Sequence, residues 1–290
     1  MTILPERYED ISKEILSDIF YLKGLSNRGR VTLIRQYAEI LCRVLLKIDD
    51  HFYLGKFEQR LKKEIPEAIL VADINCHVRN LTKLGNSATH LDKELKVVIT
   101  DKDCESALNS LNFLISYLFI DYFRRYKFGI RSEAQRIISL LPPFIRVVIL
   151  QGLYKEYGNN IAVIDKLFLA ILKSEGENNA IKWVEEEKSN LMKLSCIEDG
   201  ALDAYREQGI PEVVIQQIIF NAPQNMYEHC LQKLEEMKLA FPDLKFPYKT
   251  FEEAKAAYFF IIENEMKNCN SEIMELISLM DFIYIGRNID

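Results

Sequence analysis

The sequence predicts an all-α protein, a helical bundle followed by a second helical domain. Three observations carry this. Apolar residues recur every three to four positions through most of the 290 residues, the spacing that gathers them on one helical face. Glycine and proline number only 11 and 8, too few for a turn-dense β-architecture. Alternation with period two appears only in scraps such as 96–100.

The elements follow in order. Tyr8, Ile11, Ile15, Ile19 and Leu22 form one stripe, and Gly24 with Ser26 and Asn27 ends that helix. Val31, Ile34, Tyr37, Ala38, Leu41, Val44 and Leu45 form the next, running to about Leu46. Leu54 and Gly55 open a loop, 57–63 is a short basic helix, and Pro66 begins a turn. A helix over 69–84 is stopped or kinked by Gly85. Residues 101–126 form a long helix with an apolar centre. Asp101, Asp103 and Glu105 stand at its start, where acidic groups complement the helix dipole.

Gly129 and the polar stretch 131–136 mark the junction between halves, and Pro142-Pro143 can start a helix but not sit inside one. Helices follow at about 144–157, 161–173, 179–193, 198–208, 211–220, 226–239, 251–267 and 271–285. Eleven to thirteen helices in two domains, 1–130 and 131–290, are therefore expected. Charge supports the division, since 1–130 carries +2 and 131–290 carries −8 within a total of −6. The acidic second half is a poor nucleic-acid surface by itself.

Composition excludes several classes. With 49% hydrophobic and 28% charged residues the chain is an ordinary globule, not a disordered one. Its six cysteines, Cys42, Cys76, Cys104, Cys196, Cys230 and Cys269, are too sparse for a disulfide framework and form no C-x-x-C pair, so reduced thiols and a cytoplasmic location are expected. Residues 1–10 show no secretory leader. The longest apolar run lies within 111–123 and is interrupted by Asn112, Ser116 and Asp121, well short of the ~20 residues of a membrane span.

The segment from His77 to His90 is the most unusual chemically. Asn86 and His90 are four apart and share a helical face, with Arg79, Asn80 and Lys83 upstream. An imidazole moves protons near neutral pH, an Asn amide holds a phosphate or hydroxyl, and an Arg neutralises phosphorane oxygens. Together, Arg79, Asn86 and His90 could support metal-independent RNA cleavage by the 2′-hydroxyl. The bland alternatives are that Asn86 caps a helix and that His90 pins helices together. Arg124, Arg125 and Lys127, with Tyr126 between them and Arg131 beyond, form a candidate phosphate-contacting rim at the end of the long helix, although cations at a helix C-terminus also simply satisfy its dipole, and Lys83 is a further candidate nucleic-acid contact. Cys76-His77 and His229-Cys230 lack the two-to-five-residue gap of zinc ligand pairs, so no metal is expected. No cofactor-binding motif is present.

Residues 5 to about 128 resemble the HEPN superfamily of small helical domains, in a branch often attached to restriction and other defence proteins. The resemblance rests on an N-terminal helix over 5–22, on Arg35 and Glu39 in an Arg-x-x-x-Glu helix, and on Arg79 through Gly85-Asn86 to His90, followed by a long apolar helix. It implies a helical fold, a homodimer through the first domain, and a prokaryotic defence or stress protein that binds RNA or a nucleotide or cleaves RNA without metal. The compact Arg/His dyad of the family's nucleases is not reproduced, because His90 follows Arg79 by eleven residues. A non-catalytic dimeric adaptor is thus the alternative. A protein partner through the C-terminal half fits it; 273–285 is apolar enough either to dock in a complex or to be buried within the chain.

Overall fold

The computed structural model describes residues 6–90, 98–197, 199–246, 248–265 and 269–287. Among these the chain is all-α, with fifteen α-helices, two short 3-10 turns and no strand. The helices are α1 (Glu6–Tyr21), α2 (Asn27–Leu46), α3 (Phe57–Glu64), α4 (Val71–Thr89) and α5 (Asp101–Tyr126). Then come α6 (Ser132–Ile138), α7 (Pro143–Glu156), α8 (Ile161–Glu175), α9 (Glu177–Glu186) and α10 (Lys188–Leu191). The last are α11 (Asp199–Glu207), α12 (Glu212–Asn221), α13 (Met226–Ala240), α14 (Phe251–Glu265) and α15 (Ser271–Tyr284). Residues 5, 96–97, 198 and 266–267, which the sequence places in a helix or an alternating scrap, lie outside the described residues.

The chain forms two compact units, drawn differently from the sequence boundary at 130. One unit joins the described residues up to Gly152 with those from Tyr248 onward; the other is Leu153–Pro247. The reason is long-range packing. Arg125 grips Glu275 through both terminal nitrogens at 2.8 and 3.0 Å, the Tyr122 hydroxyl donates to the Glu272 carbonyl at 3.1 Å, and the Tyr284 hydroxyl donates to the Leu140 carbonyl at 2.6 Å. A Cβ on Gly152 would sit 2.7 Å from Ile120, so α7 lies flush on α5 there. The polar stretch at 131–136 is itself helical, because Ala134, Ile137 and Ile138 of α6 reach the core.

In the first unit α5 is the central helix, packed by α2, α4 and α15. Its start is fixed by a capping box, in which the Thr100 hydroxyl accepts from the Asp103 amide and the Asp103 carboxylate accepts from the Thr100 amide. Leu111, Leu114, Ile115, Phe119 and Ile120 are all at most 2% exposed, each contributing roughly 1.5–3 kcal/mol of burial. No helix among the described residues is long and apolar enough to cross a membrane. In the second unit α8 supplies the buried stripe Val163, Ile164, Leu167, Phe168 and Ile171, which packs on α9 and α13.

Candidate functional site

α4 is one unbroken helix through Gly85. Ile74, Val78, Leu81, Gly85 and Ala88 form its buried stripe. Gly85 therefore does not stop the helix, contrary to the sequence expectation. It is the point where Arg35 of α2 crosses: a Cβ there would fall 2.2 Å from Arg35 Cδ. Arg35 Nη1 then donates to Asn86 Oδ1 at 2.7 Å, and its Nε faces Glu39 at 3.5 Å. Arg35, Glu39 and Asn86, separated in sequence, form one polar relay.

One position round from the buried stripe lie Asn75, Arg79, Thr82 and Asn86, spaced four, three and four apart on a common face. With Lys83 they line a cleft of about 440 Å³, closed opposite by the 3-10 turn Leu54–Lys56 and the first turn of α3. Arg79 is 72% exposed at its side chain and pairs with Glu58 at 2.5 Å. Glu58 is held below the usual carboxylate range by Lys62 and Arg79, which both donate to it. Lys83 and Asn86 are exposed, and Asn86 keeps its Nδ2 donors because Arg35 engages only the oxygen. Arg79, Lys83 and Asn86 of the predicted set thus share one cleft.

The other predicted residues do not join it. His90 leaves the helix with extended backbone, φ −98 and ψ 136, and is exposed. Along the unbroken helix its Cα lies about 16 Å beyond that of Arg79. Being exposed, His90 is not a buried pin between helices, and with α4 unbroken through Gly85 it stands away from Arg79. Arg124 and Arg125 are turned inward: Arg124 holds Asp121 at 3.0 Å and Glu67 at 3.3 Å, and Arg125 holds Glu275. Their charges are answered by carboxylates of the same unit, so they form no basic rim. Lys127 is exposed past the end of α5 at φ 49.

His77 faces the other side of α4. Its ring stacks on Phe113 at 4.1 Å and its Nδ1 meets Ser110 Oγ at 3.2 Å. Burial holds its pKa below the usual 6.5, opposed by Asp73. The unfolded chain therefore binds this proton more readily than the folded one, and stability is lost as pH falls below about 6.5. Urea titrations at pH 7.5, 6.5 and 5.5 should show a decline that His77→Gln flattens; equal slopes in both proteins would refute this.

In the second unit, His229 Nε2 meets Asp165 Oδ1 at 2.9 Å beside a cleft of about 540 Å³ between α12 and α13. Burial alone would raise the Asp165 pKa, but His229 and Lys166 hold it below the usual range. Cys230 is fully buried, which pushes its thiol up to about 12. No group of three or more metal-ligating side chains occurs among the described residues. The cleft offers Lys233 against Glu236 and little net charge. The smaller α4 cleft, with Arg79, Lys83 and the Asn86 amide, is the better-built anion site. No family model, curated protein or solved structure matches the chain.

Proposed function

We propose that the chain is a HEPN-like helical module that holds a phosphate of RNA or of a nucleotide in the α4 cleft and does not cleave it. The observation that carries this is that Arg79, Lys83 and Asn86 line one cleft while His90 stands outside it. Guanidinium, ammonium and amide donors suit a phosphate, and among the described residues no histidine lines the cleft to move a proton. Glu58 occupies Arg79 in the free protein, and a phosphate displaces it, since an exposed ion pair contributes little.

The test is fluorescence anisotropy with 3′-labelled single-stranded RNA in EDTA. Binding in the micromolar range is expected, weakening with salt. Arg79→Ala with Lys83→Ala should weaken it at least about tenfold, His90→Ala should leave it unchanged, and Glu58→Gln should strengthen it about two- to fivefold. The RNA should remain intact on gels. No binding at tens of micromolar protein, or binding indifferent to Arg79 and Lys83, would overturn the proposal. So would cleavage abolished by His90→Ala.

The second reading is an assembly module acting through the C-terminal half. It is favoured by α12, where Val213 and Phe220 are 70% and 88% exposed and Val214, Ile218 and Ile219 are also open. Light scattering of Phe220→Ser against wild type at tens of micromolar tests it, with loss of a dimer mass as the supporting result.

A further inference from the structure

We infer that α12 pairs with α12 of a second copy of this chain, antiparallel about a twofold axis, with Phe220 of each copy lying against Val213 of the other. This rests on the assembly reading above and supplies its partner and register. α12 belongs to the second unit, outside residues 5–128, so this surface is separate from the dimer that the family resemblance implies.

α12 turns one residue fully inward, Ile215. Val213 and Phe220 stand on the opposite side, seven residues and about 10 Å apart, almost in line along the axis. They are the most open apolar residues of the helix, at 70% and 88%. Apolar side chains two turns apart on one line are the anchors with which a helix docks on a partner.

Charge points to a second copy as that partner. A twofold axis brings each residue near its own counterpart, so a charge at the centre of the face meets its like. Residues 213–227 carry no charged side chain, in a chain that is 28% charged. Depletion of charge marks the core of an interface, and an unlike partner selected by charge finds no group to answer there.

The side chains are also self-complementary. Gln216 and Gln217 lie midway between Val213 and Phe220 and fall at the axis. An amide both donates and accepts, so each can pair with its own counterpart. Gln216 Nε2 donates to Glu212 at 3.2 Å and keeps a second hydrogen and its oxygen for this. Reversing α12 about that midpoint brings Phe220 level with the partner's Val213 at both ends, a large side chain against a small one. Val214, Ile218 and Ile219 widen the patch to on the order of 500 Å² of open apolar surface on each copy. With the amides and the rim this approaches the ~800 Å² that each side of a standard interface buries.

Light scattering of the full chain over about 1–100 µM tests the pairing. Wild type should reach a dimer mass, with Kd in the micromolar range expected of a small interface. Phe220→Lys and Val213→Glu, each alone, should raise Kd at least about tenfold, because an apolar contact is lost and a charge is left unanswered. An equimolar mixture of the two variants should recover the dimer mass at a concentration where each alone is monomeric. In the mixed pair the introduced ammonium and carboxylate meet at one end, and the native Val213 and Phe220 meet at the other. The two substitutions sit on different chains, so no contact within one helix produces the recovery. Both positions are exposed, and far-UV circular dichroism of each variant should match wild type.

Loss of the dimer without recovery on mixing, or a Val213→Glu variant that dimerises like wild type, would overturn this inference and leave the assembly reading standing. A wild type monomeric at about 100 µM, or a dimer indifferent to Phe220→Lys, would overturn that reading with it.

Discussion

Replacing Arg287 by alanine is expected to lower the unfolding free energy by about 3 kcal/mol, the middle of the range for emptying a large core position. Arg287 is 3% exposed, and its guanidinium lies between the rings of Phe20 in α1 and Phe251 in α14, at 3.9 and 4.1 Å. Gly286 just before it has φ 69, and a Cβ there would lie 2.7 Å from the Lys13 carbonyl, so the chain passes close against α1 to deliver the side chain. Lys255 donates to the Arg287 carbonyl and fixes the backbone from α14. Against these contacts stands the burial of a charge. Glu252 approaches only to 4.0 Å, Nε and Nη2 have no partner among the described residues, and burial pushes the guanidinium pKa down. Two desolvated stacks, at ~2 kcal/mol each, and the unmet donors, at ~1–3 kcal/mol each, nearly cancel. What alanine removes is then mainly volume. Arg287→Met keeps the volume and sheds the charge, and should fall within about 1.5 kcal/mol of wild type. Urea denaturation of the full chain measures both. An alanine variant as stable as wild type would show that the position is not packed, and a methionine variant as weak as alanine would assign the stability to the charge.

That position was not marked in the sequence, and the reason is general for this chain. Periodicity reports which face of a helix is buried, not which helix covers it. The limits of α5 were legible because Thr100, Asp103 and the apolar centre are all local. The membership of α14 and α15 in the first unit was not, because it depends on pairs such as Arg125 with Glu275, 150 positions apart. The same distance hid the fate of the supposed basic rim: Arg124 and Arg125 look unopposed beside Lys127 until Asp121 and Glu275 are seen to face them. α6 is hard to read because exposed Ser132, Glu133 and Arg136 equal in number its inward Ala134, Ile137 and Ile138 in so short a helix.

For the site, the stretch from Arg79 to Asn86 was legible as polar chemistry on a helix, and three of its members do share a cleft. The four-residue spacing of His90 from Asn86 places both on one face only if the helix runs on, and α4 ends at Thr89.

Gly85→Val is accordingly expected to be costly, by about 3 kcal/mol, and to disorder the cleft as well. Glycine in a helix interior is ~1 kcal/mol worse than alanine, so on local grounds Gly85→Ala should stabilise α4. The Cβ it adds would lie 2.2, 2.9 and 3.0 Å from Arg35 Cδ, Cγ and Cβ. The contact reaches back to the base of the side chain, so the guanidinium cannot swing aside without α2 shifting. Overpacking of this kind costs ~1–3 kcal/mol, which leaves Gly85→Ala a net loss of about 1 kcal/mol. Valine adds two more methyl groups and its own poor helix propensity. Arg35 is also the donor to Asn86 Oδ1, so displacing it frees the Asn86 amide to rotate and weakens the cleft's hold on phosphate. A double-mutant cycle isolates the cause. Arg35→Ala removes the obstruction, so Gly85→Ala made on that background should become neutral or stabilising, with a coupling of about 1–2 kcal/mol. Gly85→Ala destabilising by the same amount with and without Arg35 would show that the glycine serves the backbone of α4 rather than the crossing of α2.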